Sequence, residues 1–171
     1  MRILRDSEIA DLIAEPKLLS ENWQSQFHLK EKRGFQYEER SIEVSGESGN
    51  LFRVSLRRNK VNAFDFSIIL IFRDKDGKEY RLVRYNGRHP SPHTNKWEKE
   101  QGLPDYRFDP AFHIHRATER YQEAGYMIDG FAEVTTSYHD FYSALDWFLK
   151  DNNFKGTKSP QLGLFEGGES I

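Results

Sequence analysis

Phe64-Asp65-Phe66-Ser67-Ile68-Ile69-Leu70-Ile71-Phe72 decides the fold. A run this short, apolar on both faces and rich in β-branched and aromatic side chains, reads as a central strand. On its N-terminal side two alternating runs flank a turn. Ile42 and Val44 stand between Ser41, Glu43 and Ser45, and Phe52, Val54 and Leu56 alternate with Arg53, Ser55 and Arg57 across Gly46-Glu47-Ser48-Gly49-Asn50. Period-two alternation predicts a hairpin with one buried face. On the C-terminal side, Asp74-Lys75-Asp76-Gly77 turns the chain into Tyr80-Arg81-Leu82-Val83-Arg84-Tyr85, a second hairpin. Connections this short require antiparallel pairing.

Further out, Ile9, Leu12 and Ile13 recur at helical spacing behind Asp6 or Ser7 as caps, and Pro16 stops that helix. Leu18 to Gln36 carries no clear period. Asn86 to Pro110 is a long irregular stretch of the kind that is often functional. Ala111-Phe112-His113-Ile114-His115 reads as another strand with Phe112 and Ile114 inward, and Met127 to Val134 can add one more. Ser137 or Thr136 then caps a helix with the stripe Phe141, Ala144, Leu145 and Phe148. The expected fold class is α+β: an antiparallel sheet of roughly five to six strands packed with an N-terminal and a C-terminal helix. Residues 1–154 form the single domain and 155–171 a flexible tail.

The 171-residue chain is long enough to bury a core without staples, and it has no cysteine, which excludes disulfides, thiolate metal sites and cysteine nucleophiles. The start lacks the apolar stretch of a signal peptide, and no run reaches membrane-spanning length, so the expectation is a cytoplasmic protein with no membrane contact. The net charge of −2 is unevenly distributed: residues 53–107 hold 13 Lys and Arg against 7 Asp and Glu. A cationic middle permits nucleic-acid contact without demanding it.

Four of the six histidines flank the long loop, namely His89, His93, His113 and His115. Two apart on a strand, His113 and His115 stand on the face opposite Phe112 and Ile114. His89 or His93 can fold back to join them, and Asp105 or Asp109 can supply a carboxylate. Paired imidazoles suit metal ligation, acid–base catalysis or phosphate binding; plain surface histidines are the competing reading. No cofactor and no metal are assigned, because a third ligand is not visible in the pattern. Arg53, Arg57, Arg81 and Arg84, with Arg58 and Lys60 nearby, are expected on the outward face of the sheet as nucleic-acid contacts, or paired with Glu43, Glu47 and Glu79. Trp97, Tyr106 and Phe108 in the loop can stack on bases.

The tail combines Gly, Ser, Pro and charge, a composition too polar to order itself, yet it carries Leu162, Leu164 and Phe165. Gln161-Leu162-Gly163-Leu164-Phe165 resembles the Gln-Leu-x-Leu-Phe peptide by which bacterial polymerases and repair factors dock on the replicative sliding clamp, the beta subunit of DNA polymerase III. The resemblance implies a partner-binding role for Gln161, Leu162, Leu164 and Phe165: the amide hydrogen-bonds at the rim of a cleft while the Leu-Phe pair fills an apolar pocket. It implies a protein of bacterial or mobile-element origin acting in, or regulating, replication, repair or transposition. The competing reading packs the same side chains onto the domain.

A second, looser similarity covers roughly residues 64–150. The segment from Arg81 to Pro90, followed by Phe112-His113-Ile114-His115-Arg116, is similar to small bacterial proteins of the TumE-like toxin–antitoxin group and related uncharacterised families. This chain differs from them in its longer N-terminal part, its longer central loop and its tail. The similarity implies attention to Arg84, His89, His113 and His115, and with it the alternative expectation of a toxin-like nuclease that uses these as catalytic residues.

Overall fold

The computed structural model describes residues 2–156. Along the chain lie α1 (Asp6–Ala14), β1 (Lys17–Leu18), α2 (Trp23–Gln26), β2 (Lys30–Glu31), β3 (Tyr37–Gly46), β4 (Leu51–Asn59), β5 (Phe66–Arg73) and β6 (Glu79–Asn86). There follow β7 (His93–Thr94), α3 (Lys96–Glu100), β8 (Arg107–Phe108), β9 (His113–Arg116), α4 (Glu119–Glu123), β10 (Phe131–Val134), α5 (Phe141–Asp151) and β11 (Phe154–Lys155).

The expected antiparallel sheet of five to six strands with two helices is overturned. Nine strands, in the order β10-β9-β6-β5-β4-β3-β1-β11 with β2 also on β3, form one mixed sheet that curls into a half-barrel, and the described residues hold five helices. The extra strands are two-residue pieces in stretches without a hydrophobic period. The sheet is mixed because β1 and β11 pair in parallel, Lys17 opposite Phe154 and Leu18 opposite Lys155. Parallel neighbours need a long crossover, and here the crossover is almost the whole fold.

The long β3–β4–β5–β6 meander follows the hydrophobic pattern. Val54, Leu56, Ile68, Leu70 and Leu82 are essentially inaccessible on one face. That face is covered by Ile9 and Leu12 of α1 and by Phe141, Ala144, Leu145, Phe148 and Leu149 of α5. Ring contacts fix α5 in place, with Phe141 edge-on to Phe66 at 5.7 Å and Phe148 edge-on to Tyr85 at 5.4 Å. The cap of α5 is Asp140, not Ser137 or Thr136: its carboxylate accepts from Ser143 N at 2.7 Å in a capping box. Helix α1 likewise has Arg5 at its N-cap, with no side-chain capping bond from Asp6 or Ser7.

One irregularity matters for the site. Leu70 pairs with Val83 but Ile71 pairs with Arg81, so Leu82 is an extra residue in β6. Strict alternation would put Arg81 and Arg84, three apart, on opposite faces. The bulge resets the phase. Leu82 and Val83 can then both be buried, while Arg81 and Arg84 share the outer face.

At the other end of the sheet Lys17 is fully buried, with Nζ donating to Leu12 O at 2.8 Å and Ile13 O at 2.5 Å. It supplies donors to the orphan carbonyls at the end of α1. Burial pushes its pKa down to about 8, against the opposing charge of Glu15. Glu15 in turn accepts from Ser48 N at 2.8 Å and Asn50 Nδ2 at 2.6 Å, tying α1 to the β3–β4 turn.

Candidate functional site

Residues that pair directly across strands share a face. On the face away from α1 and α5, β4 contributes Arg53, Ser55 and Arg57, and β5 contributes Ser67, Ile69 and Ile71. Ile69 pairs with Arg84, and Arg84 pairs with His115; Ser67 pairs with Asn86, and Asn86 pairs with His113. The outer face is thus a largely polar field, broken by Ile69 and Ile71, that runs from arginines and serines to two histidines. A trough of about 690 Å³ follows it, lined by Arg53, Arg57, Arg81 and Arg84 among others. A second cavity of about 370 Å³ adjoins the trough and shares Arg81 and Arg84 with it.

Of the expected nucleic-acid contacts, Arg53, Arg57 and Arg81 lie on this face. Arg53 is bound by Glu79, Nε at 3.0 Å and Nη2 at 2.6 Å. That pair and Arg73 hold the Glu79 carboxyl down at about 2. Arg57 sits 3.6 Å over the Tyr37 ring and only loosely near Glu39, at 3.9 Å. Arg81 is exposed and makes no ion pair among the described residues. Arg58 is separated from them: it lies on the helix side, with Glu38 at 3.0 Å and the Tyr142 hydroxyl at 3.3 Å. Trp97, in α3, is half-buried beneath the Arg120 guanidinium, 5.3 Å from its ring centre.

The four histidines come together. Ring centres are 5.0 Å apart for His113 and His115, 5.1 Å for His89 and His113, 4.9 Å for His93 and His115, and 5.9 Å for His93 and His113. His113 is 1% exposed and His115 5%, whereas His89 and His93 are half-buried. The loop from 87 onwards folds over β9 as a small hairpin, β7 with β8, enclosing α3. Two buried side chains hold it there. Asn95 accepts from Ala132 N at 2.8 Å and donates to Ala132 O at 2.9 Å. Glu98 accepts from Tyr121 Oη at 2.7 Å and from Arg120 Nε at 3.0 Å.

Hydrogen bonds set the protons. His113 Nδ1–H donates to Ala111 O at 2.7 Å, leaving Nε2 to face the Asn86 amide at 3.3 Å. His115 Nδ1–H donates to Asp129 O at 2.9 Å, and its Nε2 has no partner among the described residues. His93 Nε2 lies 3.0 Å from Asn95 Oδ1. Burial drives the His113 pKa down to about 4 and the His115 pKa to about 2, and the nearby Arg84 charge pushes the same way in both. His113 and His115 are therefore neutral rings with acceptor lone pairs. Among the described residues no group of three His, Asp or Glu is placed to hold a metal ion.

Arg84 lies behind the rings, with Nε 3.1 Å from Oδ2 of the inaccessible Asp129. The hydrogen-bond alignment of the pair is poor, so charge attraction is its main tie. Asp105 and Asp109 do not enter the cavity lining; Asp129 is the carboxylate beside the cluster, held by Arg84. Asp129, Asn95 and Lys96 carry no site signal in the sequence, and Asn86 enters only as part of the segment from Arg81 to Pro90. Asn95 had a signal of the wrong kind, since an Asn before a helix reads as a cap, and here its side chain reaches across to β10 instead.

Gln161, Leu162, Leu164 and Phe165 lie outside the described residues. Among the described residues no helix is long and apolar enough to cross a membrane. No family model matches the chain, and no curated protein or solved structure gives a match.

Proposed function

We propose that this is a DNA-associated protein of bacterial or mobile-element origin that docks on the replicative sliding clamp through Gln161, Leu162, Leu164 and Phe165. The observation that carries the reading is the match of those four positions to the docking peptide, six residues beyond β11. Support for the DNA side comes from the sheet face, where Arg81 makes no ion pair among the described residues and Arg57 is only loosely paired with Glu39. Docking would raise the local concentration of that face at DNA, so modest affinity at each contact suffices.

Calorimetric titration of the full chain into a bacterial sliding clamp tests it. Saturable binding is expected, and Leu164→Ala with Phe165→Ala should weaken it about a hundredfold or more, the effect of losing two buried apolar anchors. Binding unchanged by the double substitution would remove the proposal. On the DNA side, Arg57→Gln and Arg81→Gln should each reduce the salt slope of oligonucleotide binding by about 1.

The alternative, a toxin-like nuclease using His89, His113, His115 and Arg84, asks imidazoles to exchange protons near neutrality. Rings held at about 4 and about 2 are poorly matched to that task. Incubation with single- and double-stranded nucleic acids and divalent metals, with and without His113→Ala and His115→Ala, separates the two readings.

A further inference from the structure

The cavity of about 370 Å³ beside the histidines has a graded chemistry. At its floor, between β6 and β9, stands His115, 5% exposed, with Nδ1–H spent on Asp129 O and Nε2 left as an acceptor. Asn86, 7% exposed, lines the same floor, and its Oδ1 is likewise without a hydrogen-bond partner. Asn86 Oδ1 is a buried acceptor left unpaired, which is costly and invites a ligand that donates. The walls are flat or soft: the rings of His89, His93 and Tyr126, and Met127, which is 61% exposed. Gly130 completes the wall, and a Cβ there would fall 2.6 Å from the Tyr121 ring. Cations line the cavity as well. Arg81 and Lys96 are exposed and form no ion pair among the described residues, and Lys96 lies 5.9 Å from the Tyr126 ring centre.

A ligand that fits carries hydrogen-bond donors for His115 and Asn86, a flat body for the rings and negative charge for Arg81 and Lys96. We infer that this cavity binds a single nucleotide with an amino-bearing base, the exocyclic amine directed at His115 Nε2 and the phosphate at Arg81 and Lys96. The size agrees, since about 370 Å³ is at the small end of ligand pockets and admits a mononucleotide rather than a longer piece. The base would lie between aromatic and thioether surfaces that stack without reading sequence. Discrimination comes from the floor. Uracil or thymine turns a carbonyl oxygen where the amine would sit, setting acceptor against acceptor.

The inference is independent of the tail and shares only Arg81 with the proposed DNA contact, so the two can fail separately. The test is calorimetric titration of the full chain with AMP, CMP, UMP and adenosine. AMP or CMP should bind, with UMP at least about tenfold weaker for the lost floor contact and adenosine at least about tenfold weaker for the lost phosphate contacts. Lys96→Gln, an exposed change outside the trough, should bring AMP towards the affinity of adenosine. His115→Phe should narrow the gap between AMP and UMP; if that variant does not fold, Lys96→Gln and the ligand series decide alone. Absence of AMP and CMP binding, UMP binding equal to AMP, or AMP affinity untouched by Lys96→Gln would each overturn the assignment. A single strand ending in 5′-phosphoadenosine supplies the last arm: displacement of AMP assigns the cavity to a strand end, and no displacement assigns it to free nucleotide.

Discussion

Lowering the pH from 7 to 5 should remove about 3 kcal/mol from the unfolding free energy, an unusually large loss over a range where carboxylates hardly titrate. The cause is the buried imidazole pair. In the unfolded chain His113 and His115 protonate near 6.5, whereas burial holds them at about 4 and about 2 in the fold. Between those values the unfolded state binds more protons, so stability is complete above about 6.5 and falls with acidification. His93, also depressed by burial, adds in the same direction. Carboxyls held low by partners, Glu79 at about 2, contribute a loss only below their ordinary value of 4.5. Urea unfolding at pH 7, 6 and 5 measures the slope, and His113→Asn should cut it by about half. A flat profile would mean that the rings charge freely and that the cluster opens to water in solution.

Gly87→Ala should destabilise the protein by at least about 3 kcal/mol, although alanine is the smallest possible addition. Gly87 N–H donates to Phe66 O at 2.9 Å, so the backbone of β6 passes close to the start of β5. A Cβ at this position would sit 1.9 Å from Phe64 O and 2.8 Å from Phe66 Cδ1. The first of these atoms is backbone and cannot rotate away, so relief requires the strand to move. Gly77 is the control. Its φ is +81° but nothing lies within 4 Å of its added Cβ, so Gly77→Ala should cost only about 1 kcal/mol of backbone strain. Chemical denaturation of both variants checks the contrast; comparable losses would refute the packing argument. The larger effect should also disturb His89, two residues on, and with it the cavity.

The strand meander was legible because its signal is local. Alternation at Ile42–Val44 and Phe52–Leu56, the doubly apolar Phe64–Phe72 and the Gly-containing turns all report burial directly. The pieces that were not legible are two-residue strands and four- or five-residue helices whose existence depends on distant partners. Lys17 is the sharpest case: a lysine near an apolar pair reads as surface, yet it is inside because helix-end carbonyls receive its ammonium. The bulge at Leu82 left no mark of its own, and without it the Arg81–Arg84 spacing points to opposite faces. At the site, the i, i+2 spacing of His113 and His115 was readable, as was the ability of the loop histidines to return to them. Their burial was not, because it depends on β7, β8 and α3 closing over β9. The separation of Arg58 from its neighbours is simple strand parity, with Arg57 and Arg58 pointing opposite ways.

The parallel pairing of β1 with β11 has a consequence for biosynthesis. Residues 17 and 18 leave the ribosome well before one of their two neighbours: β3 follows soon, but the parallel neighbour is made only when Phe154 and Lys155 appear. The hairpins from Tyr37 to Asn86 can zip as they emerge, since their partners are close in sequence. Until residues 154 and 155 are made, the outer edge of β1 presents bare amides and carbonyls, the kind of surface that templates association with a sister chain. Among the described residues, the last strand in chain order is the one that covers the first.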